Sequence, residues 1–217
     1  MGFWEFCMIH TKRSFCFQNA CFWVLTFLGL AVALPSWSQD KPIRIGVPTS
    51  VQLQVGRDTL TAVKMAVDEI NKKGGVLGRK FEFVSADETE NPETGISAIK
   101  KLTADEKVDL LIGGYTSGVT LAQLPHIAAS KTIYLGVGAA SPSITAKVKQ
   151  DYDNYKYIFR VGPVNSAHQA RALVDFISNF VIGELGYKSI GIVGENAKWV
   201  QDLVPILSKG EIGRAHV

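Results

Sequence analysis

Short β-branched runs alternate with amphipathic helical patterns along almost the whole body of this 217-residue chain, and this alternation restricts its fold most. Residues 43–47 (IRIGV) read as a strand ending at Gly46 and Pro48, and 81–85, 108–112, 132–137, 157–161 and 189–193 repeat the pattern. Between them, apolar residues recur at spacings of three and four. Leu60, Val63, Val67 and Ile70 mark a helix over 56–72, which Lys72, Lys73, Gly74 and Gly75 terminate. Pro92 suits the first turn of a helix to about 106, and further helices are expected over 119–130, 166–185 and 197–208. Asn165 is placed to cap the fourth of these, with an inward stripe of Ala170, Leu173, Val174, Ile177 and Val181. Pro205 is expected to bend or split the fifth.

Strand and helix in turn argue for βαβ units, hence a doubly wound parallel sheet with helices on both faces. Such crossovers are almost always right-handed, so the loops after the strands emerge together at one edge. Ligands of these sheets bind at that edge. Two loops there are built of small residues. One carries Tyr115, Thr116 and Ser117; the other carries Gly138, Ala139, Ala140 and Ser141. A polar interval over 147–156 follows, and the alternation restarts after Gly162-Pro163, which reads as a linker between two lobes of similar make.

The ends read differently. Lys12 and Arg13 precede an apolar run over 21–34 and then Pro35-Ser36-Trp37-Ser38, the order of a secretory signal with cleavage expected after Ser38. The run is too short for the roughly 20 residues of a spanning helix. All three cysteines, Cys7, Cys16 and Cys21, lie in this leader, so the body has no disulfide and no thiol chemistry. At the other end 212–217 (IGRAHV) resembles translated sequencing adapter, and the chain is expected to stop mid-fold. The implied organisation is a leader over 1–38, most of a first lobe over 39–162, the start of a second over 163–210, and an artefact over 211–217.

Several chemistries are excluded by what the residues lack. A net charge of +3 with scattered Lys and Arg makes no basic stripe for nucleic acid. Gly136-Val137-Gly138-Ala139-Ala140-Ser141 puts serine where a dinucleotide fingerprint needs its third glycine, and Gly113 to Gly118 lacks the Gly-Lys-Ser/Thr ending of a phosphate loop. His126 and His168 have no partner at metal-ligand spacing, and the acidic stretch from Asp87 to Glu93 reads as solvated loop. No nucleophile lies beside a base, so the chain is read as a binding protein and not an enzyme, with no cofactor and no metal. At the start of the third helix the hydroxyls and free N–H groups of Thr116 and Ser117 suit an anion such as a ligand carboxylate.

These residues also resemble a known family. IRIGV, then AVDEINKKGGVLGRKFEFVSADETENPETG, LIGGYTSGVTLAQLP, GAASP and YIFRV are similar to the leucine/isoleucine/valine-binding proteins. The resemblance covers 41–209 and implies the type I periplasmic-binding-protein fold: two hinged lobes, the second incomplete here. It implies a monomeric periplasmic protein that closes on a small solute and delivers it to an ABC permease in the inner membrane. Ser117 matches the family serine that meets the ligand carboxylate, and Gly138, Ala139, Ala140 and Ser141 the loop of backbone and hydroxyl contacts. Trp199 falls where the family has a tyrosine over the ligand. Asn165 stands where amino-acid binders carry aspartate, a departure that weakens the case for an α-ammonium partner. Amino acids, short amides, urea-like solutes and small carboxylates stay open as ligands. A sensory ectodomain of the same fold is the alternative reading.

Overall fold

The computed structural model describes residues 41–162 and 165–209; the expected leader, Pro163, Val164 and the expected adapter-derived tail lie outside the described residues. Five parallel strands form one sheet in the order β2-β1-β3-β4-β5: β1 Ile43–Thr49, β2 Phe81–Asp87, β3 Leu110–Gly113, β4 Ile133–Gly136 and β5 Ile158–Arg160. The order reverses between β1 and β3, so the loops leaving those strands diverge and open a crevice at their carboxyl ends.

Helix α1, Gln54–Lys72, lays Leu60, Val63 and Val67 on Ile45, Val47, Leu110 and Ile112. Gly74 and Gly75 follow with φ of 104° and 83°, and Asn71 clasps Phe81 by exchanging hydrogen bonds with its backbone N–H and carbonyl, both at 2.8 Å. The opposite face is covered by α2 (Pro92–Lys100), α3 (Ser117–Ser130) and α4 (Pro142–Gln150). There Ile99, Leu102, Leu111, Leu124 and Ile127 are wholly buried, each contributing roughly 1.5–3 kcal/mol. Leu111 points to this cluster while Leu110 and Ile112 point to the other, as the two-residue period of a strand requires. The α1 face is left partly open over β4 and β5, where Ile133, Phe159 and Val161 are exposed.

Four expectations need correction. Residues 147–156 are not an irregular interval: α4 and a short α5, Tyr152–Tyr155, occupy them, because Ser141 caps Ser143 N–H at 3.2 Å, Pro142 opens the helix and Ile144 is buried. Residues 189–193 form no strand; they have the composition but no neighbouring strand to bond, and Val193 is completely exposed. The helix α6, Ser166–Phe176, continues to Glu184 in wider i→i+5 turns, and of the expected stripe only Ala170 and Ile177 are buried. Helix α7, Lys198–Lys209, runs unbroken through Pro205, which lies on an exposed face of the helix. None of the described helices is long and apolar enough to cross a membrane.

Candidate functional site

Two glycines allow the two small-residue loops to touch. Gly114 has φ of 81°, and a Cβ on it would lie 2.0 Å from the Tyr134 hydroxyl; one on Gly138 would lie 2.7 Å from the Gly114 carbonyl. That carbonyl accepts from both Gly138 and Ala139 N–H at 3.0 Å. Arg160, at the end of β5, donates to the carbonyls of Ala139 (2.7 Å) and Ser141, so the second loop is fixed from below by a part-buried guanidinium. Burial pulls the Arg160 pKa down, and the neighbouring Tyr134 opposes the fall. Ser141 N–H donates to Ser117 Oγ at 3.1 Å, joining the second loop to the start of α3.

Above these contacts lies a cleft of about 250 Å³. Tyr115, Thr116, Gly138 and Ala140 line it from the sheet edge, with Glu90 from the loop after β2. Gln169 of α6, then Glu195, Ala197 and Trp199 at the start of α7, line the other side. Five of the nine residues singled out from sequence therefore meet in one cavity. Three others lie behind it: Ser117 is 1% exposed, Ser141 0% and Ala139 6%, and the two hydroxyls are engaged within the protein. Asn165 does not line the cleft; it caps α6, its Oδ1 accepting from His168 N–H at 3.1 Å.

Thr116 occupies the cap position of α3 without a side-chain bond to the helix, and its Oγ1 is shielded from water and has no partner. The first N–H groups of α3 also lack partners within the helix, and its positive end adds to them. Glu90, Gln169, Glu195 and Ala197 were not foreseen. Glu90 belongs to the acidic loop read as solvated. Glu195 was readable as the i, i+4 neighbour of Trp199, whose Nε1 donates to it at 2.7 Å. The cleft thus carries two carboxylates and no basic side chain among its lining residues.

Behind Tyr115 sits Glu88, fully buried. Burial raises its pKa; the bond from Gln123 Nε2 at 2.9 Å and the Tyr115 backbone N–H pull it down, and the Asp87 charge adds to the rise. Gln123 also donates to the Gly95 carbonyl at 3.1 Å, so this buried pair ties the first loop to α2 and α3. No group of three or more metal-ligating side chains occurs among the described residues. The arrangement suits holding a small polar molecule between an amide-rich sheet edge and an aromatic cover.

The chain is similar in sequence and fold to known proteins. A family model described as periplasmic binding protein matches residues 42–209. The Leu/Ile/Val-binding protein BraC3 of Rhizobium johnstonii is 34% identical over 92 residues, 42% of this chain and 25% of the relative. Leu/Ile/Val-binding protein homolog 1 of Brucella abortus is 30% identical over 126 residues, 55% of this chain and 33% of the relative. Among solved structures, a putative branched-chain amino acid ABC transporter from Silicibacter pomeroyi superposes with a TM-score of 0.66 at 24% identity, over 80% of this chain and 45% of that one. A branched-chain amino acid transporter substrate-binding protein from Streptococcus pneumoniae, in complex with isoleucine, gives 0.62 at 24% identity, over 78% and 47%. The chain spans about a quarter to a third of the length of these curated relatives. Its sheet order, its edge-of-sheet cleft and the family match over nearly all described residues agree: the fold is of the type I periplasmic-binding kind, and the chain belongs to the periplasmic binding proteins, with the Leu/Ile/Val-binding proteins among its relatives.

Proposed function

We propose that the protein captures a small solute bearing a carboxylate, an amino acid foremost, and presents it to an ABC permease for import. The observation that carries this reading is the start of α3, uncapped by any side chain, at the edge of the 250 Å³ cleft under Trp199, with the unpartnered Thr116 hydroxyl shielded just behind the surface. A carboxylate there meets the hydroxyl and the free helix N–H groups together. Structural relatives support the choice of anion. They are described in complex with leucine, isoleucine, 3,4-dihydroxybenzoic acid or 4-hydroxybenzoate, and each of these ligands carries a carboxylate. Glu90 and Glu195 on the rim favour a ligand that also has a cationic nitrogen, as amino acids do.

In this reading Tyr115, Thr116, Gly138, Ala140 and Trp199 touch the solute, Ser117, Ala139 and Ser141 shape the wall beneath, and Asn165 orders α6. Capture proceeds by hinged closure about residues 161–165, a population shift driven by contacts from both sides of the cleft. The protein is a monomer, exported to the periplasm with its leader removed after Ser38. Family membership itself implies an extracytoplasmic site of action. A sensory role is the second reading, favoured by a chemotactic signal transduction system substrate-binding protein of Halobacterium salinarum, BasB, 27% identical over 144 residues.

Thermal unfolding of the full chain with L-leucine, L-lysine or 4-hydroxybenzoate tests capture. At least one amino acid should raise Tm, and Thr116→Val should weaken its binding by roughly 10- to 150-fold, the loss of about 1.5–3 kcal/mol for a hydrogen bond to a charged group. Stabilisation by none of the three, or unchanged affinity in Thr116→Val, refutes the assignment. Loss of solute uptake on gene deletion, with chemotaxis intact, separates importer from sensor.

A further inference from the structure

Beside the cleft, one acidic side chain joins the two segments that line it. Asp202 of α7 is only 15% exposed, and its two oxygens have different partners. Oδ1 accepts from Lys198 Nζ one turn earlier; Oδ2 accepts from the Ser141 hydroxyl, 61 residues away in sequence. Ser141 is itself wholly buried, with its N–H on Ser117 Oγ and its carbonyl on Arg160. Asp202 therefore meets a residue held at both its N–H and its carbonyl, directly behind the cleft wall. Trp199 lies three residues before Asp202, on the same face of α7, and covers the cleft.

We propose that Asp202 is a positioning residue: by accepting from Ser141 it docks α7 on the ligand loop and so holds Trp199 across the cleft. The chemistry favours this over a role in bulk stability. A part-buried ion pair with one hydroxyl partner gains little net energy over its hydrated parts, yet fixes where two surfaces meet. Separation exposes both Ser141 and Asp202 to water, which replaces each bond, so the joint opens and closes at low cost. Removing the carboxylate alone leaves a buried hydroxyl without an acceptor, which loosens α7 at this contact. The inference rests on the capture reading only in taking Trp199 as the cover.

The test needs no ligand. In the full chain carrying Trp4→Phe, Trp23→Phe and Trp37→Phe, Trp199 is the sole tryptophan, and acrylamide quenching of its fluorescence reports how well it is covered. Asp202→Ala should at least double the quenching constant and shift emission to the red. Ser141→Ala, which also removes the cap of α4, should do at least as much, and the double variant should do no more than Ser141→Ala, because both substitutions remove the same Ser141–Asp202 joint. Asp202→Asn keeps an acceptor for Ser141 and should keep Trp199 shielded; it also carries the test if the alanine variant does not fold. Unchanged quenching in Asp202→Ala, additive effects in the double variant, or an Asp202→Asn chain as open as Asp202→Ala would each overturn the proposal. A negative result leaves solute capture standing, whereas failure of the titrations with this joint intact removes capture alone.

Discussion

Residues 41–162 and residues 165–209 are built from the same kinds of local pattern, yet they differ in how much of that pattern is buried. In the first segment Ile99, Leu102, Leu111, Leu124 and Ile127 are wholly enclosed between the sheet and three helices. In the second, Leu173, Phe176, Phe180, Leu185 and Ile192 all stay exposed, and an apolar groove of about 690 Å³ runs between α6 and α7. Helix formation needs only local spacing and caps, so both segments achieve it. Burial needs a partner surface, and among the described residues only the first segment has a sheet.

The largest way to break this comparison is a core truncation in each segment. Leu124→Ala should cost about 2–5 kcal/mol, the range for a buried leucine whose cavity cannot collapse. Leu173→Ala, at 39% exposure, should stay within about 0.5 kcal/mol. Urea unfolding of the two variants measures both. A cost at Leu173 comparable to that at Leu124 would show that the second segment is packed as tightly as the first.

The comparison also explains what could be read from the sequence. The five strands, their parallel direction and helices α1 to α3 follow from periodicity and from Gly74-Gly75 and Pro92, because those elements pack on one another within the described residues. Residues 189–193 have a strand's composition but pair with no strand among the described residues, and composition alone does not specify a pairing partner. The helix of 142–150 escaped notice because its signals, Ser141 as cap and Pro142 as first residue, sit inside a stretch read as a ligand loop. Tyr115, Thr116, Gly138, Ala140 and Trp199, singled out by loop chemistry and resemblance, line one cleft. Whether a serine faces the cleft or the core was not: Ser117 and Ser141 bond each other, and only the fold decides that. Glu90 and Glu195 were missed for the converse reason, since an acidic residue in a loop looks solvated until another segment comes to lie across from it.

A second prediction uses the ionisable groups. The first segment buries Glu88 completely, whereas Asp202 in the second keeps some exposure and a lysine partner. Glu88 has its pKa raised above the ordinary 4.5, chiefly by burial. A carboxyl whose folded pKa exceeds its unfolded one holds its proton more tightly when folded. Its contribution is thus fully present below pH 4.5 and is lost as pH rises through the raised folded value. Glu88→Gln abolishes that dependence. Between pH 4 and pH 7 the urea midpoint of the native chain should fall relative to that of the variant. Parallel profiles would mean that Glu88 ionises in the fold as it does in water.

The smallest effect compares two caps of one chemistry. Asn91 Oδ1 accepts from Glu93 N–H at 2.8 Å and Thr94 N–H at 3.2 Å at the start of α2, which carries the buried Ile99. Asn165 Oδ1 accepts from His168 N–H at 3.1 Å at the start of α6. Replacing a capping asparagine with alanine costs a helix about 1 kcal/mol. For Asn91 that cost should appear in global unfolding, because α2 cannot fray without uncovering the core. For Asn165 it should appear mainly as faster hydrogen exchange in the first turn of α6, with a global change below about 0.5 kcal/mol, since α6 opens with little apolar surface to lose. If Asn165→Ala lowers the global midpoint as far as Asn91→Ala does, α6 unfolds with the sheet as one cooperative unit, and the contrast in burial has no counterpart in stability.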